Sequence, residues 1–215
     1  MTPLHISLAR VAVRVGPDRR LLFQVPSLRI PSGDKVLVRG ASGQGKTTFL
    51  HLLAGLLTPD KGKVLVGDRR LDTLDEEERC RFRRRHVGIV FQKLNLIDHL
   101  TALENVELAL PRGETRRKAT EALQSVSLQG REHDRVSVLS LGEQQRVAVA
   151  RVLAGRFPLV LADEPTSSLD EANAVAVMGI LMDACSEKTL VVVSHDHRIE
   201  GFFPRTIDFG EFASP

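Results

Sequence analysis

A glycine-rich segment constrains this chain more than any other feature of its sequence. Residues 36–48 read Val-Leu-Val-Arg-Gly-Ala-Ser-Gly-Gln-Gly-Lys-Thr-Thr, with an apolar run that stops at Gly40 and a helical pattern that starts near Lys46. The segment matches the pattern G-x-x-x-x-G-K-[ST], completed by Gly45 and Thr47. Glycines permit a bend in which successive N–H groups point at an anion, and the following helix N-terminus adds positive charge. The segment predicts a phosphate-binding loop rather than an ordinary glycine turn.

The loop also predicts which residues contact a bound nucleotide. Lys46 is expected to reach the β- and γ-phosphates, and the Thr47 hydroxyl is expected to ligate Mg²⁺. The whole predicted contact set in this segment is Gly40, Ala41, Ser42, Gly43, Gln44, Gly45, Lys46, Thr47 and Thr48. The loop therefore predicts a bound nucleotide together with Mg²⁺.

Composition narrows the class of protein. The chain has 215 residues, enough for a sizeable core, and its 42% hydrophobic and 27% charged residues are ordinary for a globular protein. A net charge of +3 does not argue for nucleic-acid binding, and no apolar run approaches the roughly 18 residues of a membrane span. Cys80 and Cys185 lack metal-ligand spacing, which favours reduced thiols in a cytoplasmic compartment.

The order of strand and helix patterns predicts an α/β fold. Residues 1–35 alternate apolar and polar side chains around turns, which indicates an antiparallel β lead-in. Strands then alternate with helices at both ends of the chain, which indicates a mainly parallel sheet covered by helices. We expect a single domain over residues 1–215. Its α/β core would comprise residues 1–74 and 155–215, and a helical subdomain would span about residues 75–154.

Two carboxylates follow a buried strand pattern. Leu159–Ala162 is apolar and is followed by Asp163, Glu164 and Pro165. Ligands of open α/β sheets bind at the carboxyl ends of strands, so Asp163 is expected to hold Mg²⁺ and Glu164 to deprotonate an attacking water. An acidic turn without a catalytic role is the alternative, and the upstream phosphate loop disfavours it.

Gln92 and His195 also follow short apolar strands. The Gln92 amide could contact both metal and water, although a surface amide is the simpler interpretation. His195 could bond a γ-phosphate or position water, although a lone histidine is usually structural. Both residues gain weight from their place beside the other motifs.

Two further segments support more than one interpretation. Ser140 and Glu143 have capping-box spacing at the start of a helical pattern, and the same helix terminus, with the Gly142 N–H, could bind a phosphate. The basic run Arg81-Phe82-Arg83-Arg84-Arg85 ends another helical pattern, where cations suit the helix dipole. We interpret it as a solvated face and expect no nucleic-acid partner.

Taken together, these motifs resemble those of ATP-binding-cassette ATPases along essentially the whole chain. Residues 40–47 resemble the Walker A loop, 160–164 Walker B, Gln92 the Q-loop, 140–144 the signature, 168–170 the D-loop with Asp170, and His195 the switch histidine. Residues 91–106 look most like the lipoprotein-releasing, macrolide-exporter and cell-division branch. The resemblance implies a P-loop nucleotide-binding domain that hydrolyses ATP with Lys46, Glu164 and His195, and that places Gln92, Ser140, Gly142, Glu143 and Asp170 around ATP.

The resemblance also implies partners. The expected assembly is a head-to-tail dimer, or a pair with a second cassette subunit, on the inner face of the cell membrane. A separate membrane permease would dock near Gln92–Thr101. Alternatives are a soluble cassette ATPase, or a regulatory one with weak turnover that controls assembly of a membrane complex.

Two departures from the family pattern stand out. Leu141 occupies a position where the family's signature usually has glycine. The strand at Val13–Gly16 offers Val13 or Val15 where the family usually stacks an aromatic ring on adenine.

Overall fold

A computed structural model of the chain describes residues 2–110 and 114–213. Its strands are β1 (Ile6–Val15), β2 (Arg20–Ile30), β3 (Lys35–Arg39), β4 (Lys61–Val66), β5 (Arg69–Arg70), β6 (Val87–Val90), β7 (Leu159–Asp163), β8 (Thr189–Ser194) and β9 (Arg205–Asp208). Its α-helices are α1 (Lys46–Leu53), α2 (Glu76–His86), α3 (Ala102–Glu107), α4 (Arg116–Ser125), α5 (Leu141–Ala154) and α6 (Glu171–Ala184).

The strands form two sheets. The first is antiparallel in the order β2-β1-β4-β5, and its β1–β2 pairing runs from Ile6 opposite Ile30 to Val15 opposite Arg20. The second is parallel in the order β6-β7-β8-β3-β9. The predicted α/β fold, with an antiparallel lead-in and a parallel core sheet, is therefore confirmed.

Alternate residues of the parallel strands bury two separate cores, as the period of two in a strand requires. Val36, Val38 and Val191 pack on the side of the antiparallel sheet and α1. Leu37 and Val192 point to the other side, toward the core shared with α3 to α6. The middle strands are therefore apolar throughout, as strands covered on both faces usually are.

The middle of the chain is mostly helical. Helices α3, α4 and α5 pack on one another through buried apolar side chains, among them Leu103, Leu123 and Val147. Strand β6 lies inside the predicted helical subdomain of residues 75–154, yet it pairs with β7 at the edge of the parallel sheet. Among the helices of residues 2–110 and 114–213, none combines the length and apolar character that crossing a membrane requires.

Candidate active site

The predicted site residues that follow β3, β7 and β8 lie at one edge of the parallel sheet. Strands β7, β8 and β3 are adjacent and parallel, so their carboxyl ends meet at the same edge. Asp163 ends β7, His195 follows β8, and Gly40 follows β3. The sheet order therefore brings together motifs that lie more than 100 residues apart in sequence.

The phosphate loop connects β3 to α1, and its backbone needs glycine. Gly43 has a φ of 82° and Gly45 a φ of 100°, a region that other residues adopt only with strain. A Cβ on Gly45 would also lie 2.9 Å from the Leu22 side chain. The buried Lys46 ammonium donates to the carbonyl oxygens of Gly40 (2.7 Å) and Ala41 (3.0 Å), which holds it inside the loop.

Thr47 and Asp163 meet beneath the loop. The Thr47 hydroxyl donates to Asp163 Oδ1 at 3.1 Å, although the two residues come from different elements. Burial raises the pKa of the Asp163 carboxyl above its ordinary value, against the lowering effect of the Thr47 hydrogen bond. A buried carboxylate beside a hydroxyl is a donor set that favours a bound cation.

Glu164 is buried and strongly oriented. Its φ of 46° lies in the left-handed region, which is uncommon for a residue other than glycine. Its Oε2 accepts hydrogen bonds from the Ser194 hydroxyl (2.7 Å) and the His195 N–H (3.3 Å). Its Oε1 lies 2.8 Å from His195 Nδ1 and 3.8 Å from Lys46 Nζ. The carboxylate is therefore fixed between a lysine and a histidine.

Sequence reasoning did not assign roles to the residues that support this arrangement. The Ser194 hydroxyl, which donates to Glu164, also accepts the Asp196 N–H at 3.1 Å. Asp196 accepts from the Thr166 hydroxyl (2.7 Å) and pairs with Arg198, whose hydrogen bonds lower the pKa of Asp196 to about 2. Their position at the carboxyl end of β8 was the available signal.

The segment at Ser140 is a capped helix start. The Ser140 hydroxyl donates to Glu143 Oε2 at 2.8 Å and accepts the Glu143 N–H at 3.4 Å, as the capping-box spacing predicts. Hydrogen bonds from the Ser140 backbone N–H and from its hydroxyl lower the pKa of the Glu143 carboxyl. A Cβ on Gly142 would lie 3.5 Å from the Asn173 side chain. The Asn173 N–H in turn donates to the Asp170 carboxylate. The segments at Ser140 and at Asp170 therefore lie side by side.

Other predicted residues lie apart from this cluster. In the described residues, no hydrogen bond or ion pair links Ser140, Gly142 or Glu143 to the phosphate loop or to Glu164. Gln92 is exposed after β6. In the phosphate loop, Ala41, Ser42 and Gly43 are exposed, while Gln44 and Thr48 are partly buried.

The two candidate adenine contacts differ in exposure. Val13 is 1% exposed and belongs to the core below the antiparallel sheet, so it cannot meet a nucleotide. Val15 is 36% exposed, which leaves it as the candidate of the pair.

Comparison with known proteins gives the same family as the motifs. The family model described as "ABC transporter" matches residues 23–167. The lipoprotein-releasing system ATP-binding protein LolD of Treponema denticola is 42% identical over 189 residues, covering 85% of this chain and 84% of LolD. LolD of Oleidesulfovibrio alaskensis is 40% identical over 201 residues, covering 90% and 87%.

Solved structures that resemble this chain support the same family. The cassette MJ0796 of Methanocaldococcus jannaschii superposes with a TM-score of 0.86 and 36% identity over 95% of each chain, in a dimeric post-hydrolysis state bound to ADP and Pi. A second dimeric structure of MJ0796 gives a TM-score of 0.87. The chain therefore belongs to the ABC transporter family, as an ATP-binding and ATP-hydrolysing subunit.

Proposed function

We propose that this subunit works as a head-to-tail dimer that closes around ATP. In each site, one copy supplies the phosphate loop and its partner supplies Ser140, the Gly142 N–H and Glu143 beside Asp170. Two observations support this assembly: the signature has no bond to the phosphate loop within the described chain, and MJ0796 is dimeric in its solved structures. ATP binding would then complete a site that one copy alone leaves open.

The orientation of Glu164 is the observation that most supports hydrolysis by this site. In the proposed reaction, water attacks the γ-phosphorus in line, the bond to the leaving oxygen of ADP breaks, and the water proton passes to the Glu164 carboxylate. Ser194 and the His195 backbone hold that carboxylate, and Lys46 stabilises charge on the phosphoryl oxygens. The His195 ring is 58% exposed and contacts Glu164, and in this proposal it would also bond the γ-phosphate.

The donors at the sheet edge fit Mg²⁺. Thr47 and Asp163 would hold the ion, with Gln92 joining from the loop after β6. Within the described ranges, no group of three or more His, Cys, Asp or Glu side chains is arranged to hold a metal ion. Mg²⁺ usually takes phosphate oxygens and water among its ligands, and a bound nucleotide would supply the phosphate oxygens. When bound, Mg²⁺ supplies positive charge to the β- and γ-phosphates.

The permease is proposed to dock at an apolar groove beside the loop that follows β6. The groove has a volume of about 310 Å³ and includes Val87, Ile89, Phe91, Val152 and Phe157. Ile89, Phe91 and Phe157 are partly exposed in the groove, so an apolar side chain of a partner could pack on them. Asn95, which also lines the groove, belongs to the predicted docking segment Gln92–Thr101. The subunit would thereby sit on the inner face of the cell membrane.

A concentration series tests this assembly. We expect ATP turnover per chain to rise with protein concentration, because association must offset the lost freedom of two chains before a complete site exists. Adding the membrane permease in detergent or nanodiscs should raise turnover further at a fixed concentration. A turnover per chain that stays constant in both series would contradict the shared site.

Leu141 gives a second test, since it adds bulk where the two copies would meet. Its side chain is 48% exposed at the first residue of α5, and the N–H of the following Gly142 carries no side-chain cap. We predict that Leu141→Gly raises the ATPase rate of the assembled complex and leaves ATP affinity of the isolated chain unchanged.

Leu141→Ala is the matched control, because it removes bulk without the helix cost of glycine, up to about 1 kcal/mol. Its rate should fall between those of the parent and the glycine variant. If both variants turn over more slowly than the parent at saturating ATP, Leu141 instead contributes apolar contact to the dimer.

A further inference from the structure

A basic cavity lies away from the candidate active site, beside the second half of α2. Its volume is about 250 Å³. Arg69 reaches it from β5, whereas Arg81, Arg85 and His86 reach it from α2. The Phe82 ring forms an apolar part of the lining and stacks on the His86 imidazole with centroids 4.9 Å apart. Cations from two separate elements therefore converge on one concave space.

Little negative charge balances these cations. Glu78 is the acidic residue that lines the cavity. Its Oε2 accepts the backbone N–H of Asp75, the residue that caps α2, at 3.1 Å. Arg81 pairs with Glu77 at 2.6 Å, but both side chains are more than half exposed, so the pair is weak. Within residues 2–110 and 114–213, Arg69 and Arg85 form no ion pair. A ligand with concentrated negative charge would balance the charge of the arginines that line the cavity.

We propose that this cavity binds a phosphate group. Guanidinium groups bind phosphate through paired N–H donors, and several of them around one concave space suit a tetrahedral anion better than a single carboxylate. Two sources share this chemistry: the headgroup of an anionic phospholipid and free phosphate.

The position of the cavity favours the lipid source. Arg84, the neighbour of Arg85 in sequence, lines the apolar groove to which the permease is assigned. The inference of a lipid source therefore rests on the proposed docking of the permease, since that docking turns α2 toward the membrane. The binding of phosphate itself does not depend on it.

The experiment uses the full chain with its nucleotide site saturated by a non-hydrolysable ATP analogue, whose γ-phosphate group keeps free phosphate out of the phosphate loop. One arm measures sedimentation with vesicles of phosphatidylglycerol and phosphatidylcholine against vesicles of phosphatidylcholine alone. The other arm titrates inorganic phosphate by calorimetry. The test variant is Arg69→Gln/Arg85→Gln. The control is Arg20→Gln/Arg29→Gln, which removes the same charge from exposed positions on β2.

We expect the test variant to bind the anionic vesicles about tenfold to thirtyfold more weakly, because each arginine near such a surface adds about 1 kcal/mol, while the control keeps the parental affinity. Loss of phosphate binding in the test variant alone, with equal vesicle binding, would support the soluble source. Equal behaviour of both variants in both arms would overturn the proposal.

Single variants Arg69→Gln and Arg85→Gln provide a second measurement if the double variant loses binding of the ATP analogue or thermal stability. Each should give part of the effect. A negative result here would leave the concentration and permease series unaffected, so the two proposals fail separately.

Discussion

Glu164→Gln should reduce ATP hydrolysis by about 10²–10⁴-fold while ATP binding persists, because general-base catalysis typically contributes that much. The amide has the shape of the carboxylate and can still accept from Ser194 and the His195 N–H, but it cannot take the proton of the attacking water. Without turnover, ATP should hold the dimer closed. The measurements are steady-state phosphate release in the assembled complex and dimer content by size-exclusion chromatography with ATP.

Glu187→Gln is a suitable control, since it makes the same chemical change at an exposed position outside the site. Its rate and its dimer content should equal those of the parent. Parental hydrolysis by Glu164→Gln within the complex would show that another group removes the proton. Slow hydrolysis without an ATP-stabilised dimer would support Glu164 as the base but contradict the proposed closure of the dimer around ATP.

Phe209→Ala should be the most damaging single change to stability. Phe209 is fully buried, and its ring lies edge-on to those of Phe23 (5.3 Å), Phe49 (5.4 Å) and Phe212 (5.9 Å between centroids). Removing a buried phenyl ring costs about 3–5 kcal/mol, which is a large part of the 5–15 kcal/mol that stabilises a typical protein. For a chain of this size the midpoint of thermal unfolding should fall by roughly 6–20 °C.

The aromatic cluster also supports the phosphate loop, because a Cβ on Gly45 would lie only 3.2 Å from the ring of Phe23, on which the Phe209 ring packs. ATP affinity should therefore fall together with stability. Phe212→Ala is the control, since Phe212 is only partly buried and its removal should cost less. If calorimetry gives the two variants equal free energies of unfolding, the aromatic cluster is not the main support of this part of the core.

Much of the fold could be predicted because its signals are local. The helical pattern predicted to start near Lys46 is α1 (Lys46–Leu53), and the strand pattern Leu159–Ala162 is β7 (Leu159–Asp163). Sheet order could not be predicted in this way, because β3 pairs with β8 and β9, more than 150 residues away. Pairings of that kind depend on packing of the whole chain rather than on local patterns.

The residues of the candidate site also divide into those that local motifs predict and those that depend on contacts between distant segments. Lys46, Thr47, Asp163 and Glu164 stand in short motifs whose spacing indicates their chemistry, and the structure brings them together. The contact of Ser194 with Glu164 was not predictable, since a serine at the end of an apolar strand has no distinctive pattern. The roles assigned to Ser140 and Asp170 stay predictions because they depend on a second chain. The role of Gln92 stays a prediction because it depends on bound Mg²⁺.

The order of the parallel sheet has a consequence for synthesis on the ribosome. Strand β3 is followed by the phosphate loop and lies between β8 and β9, so its first neighbour is complete only at Ser194 and its second only at Asp208. Chains emerge from the N-terminus, so the loop is among the first segments produced and among the last to be supported. A chain truncated before β9 should therefore contain the complete Gly40–Thr47 motif and yet bind ATP only weakly.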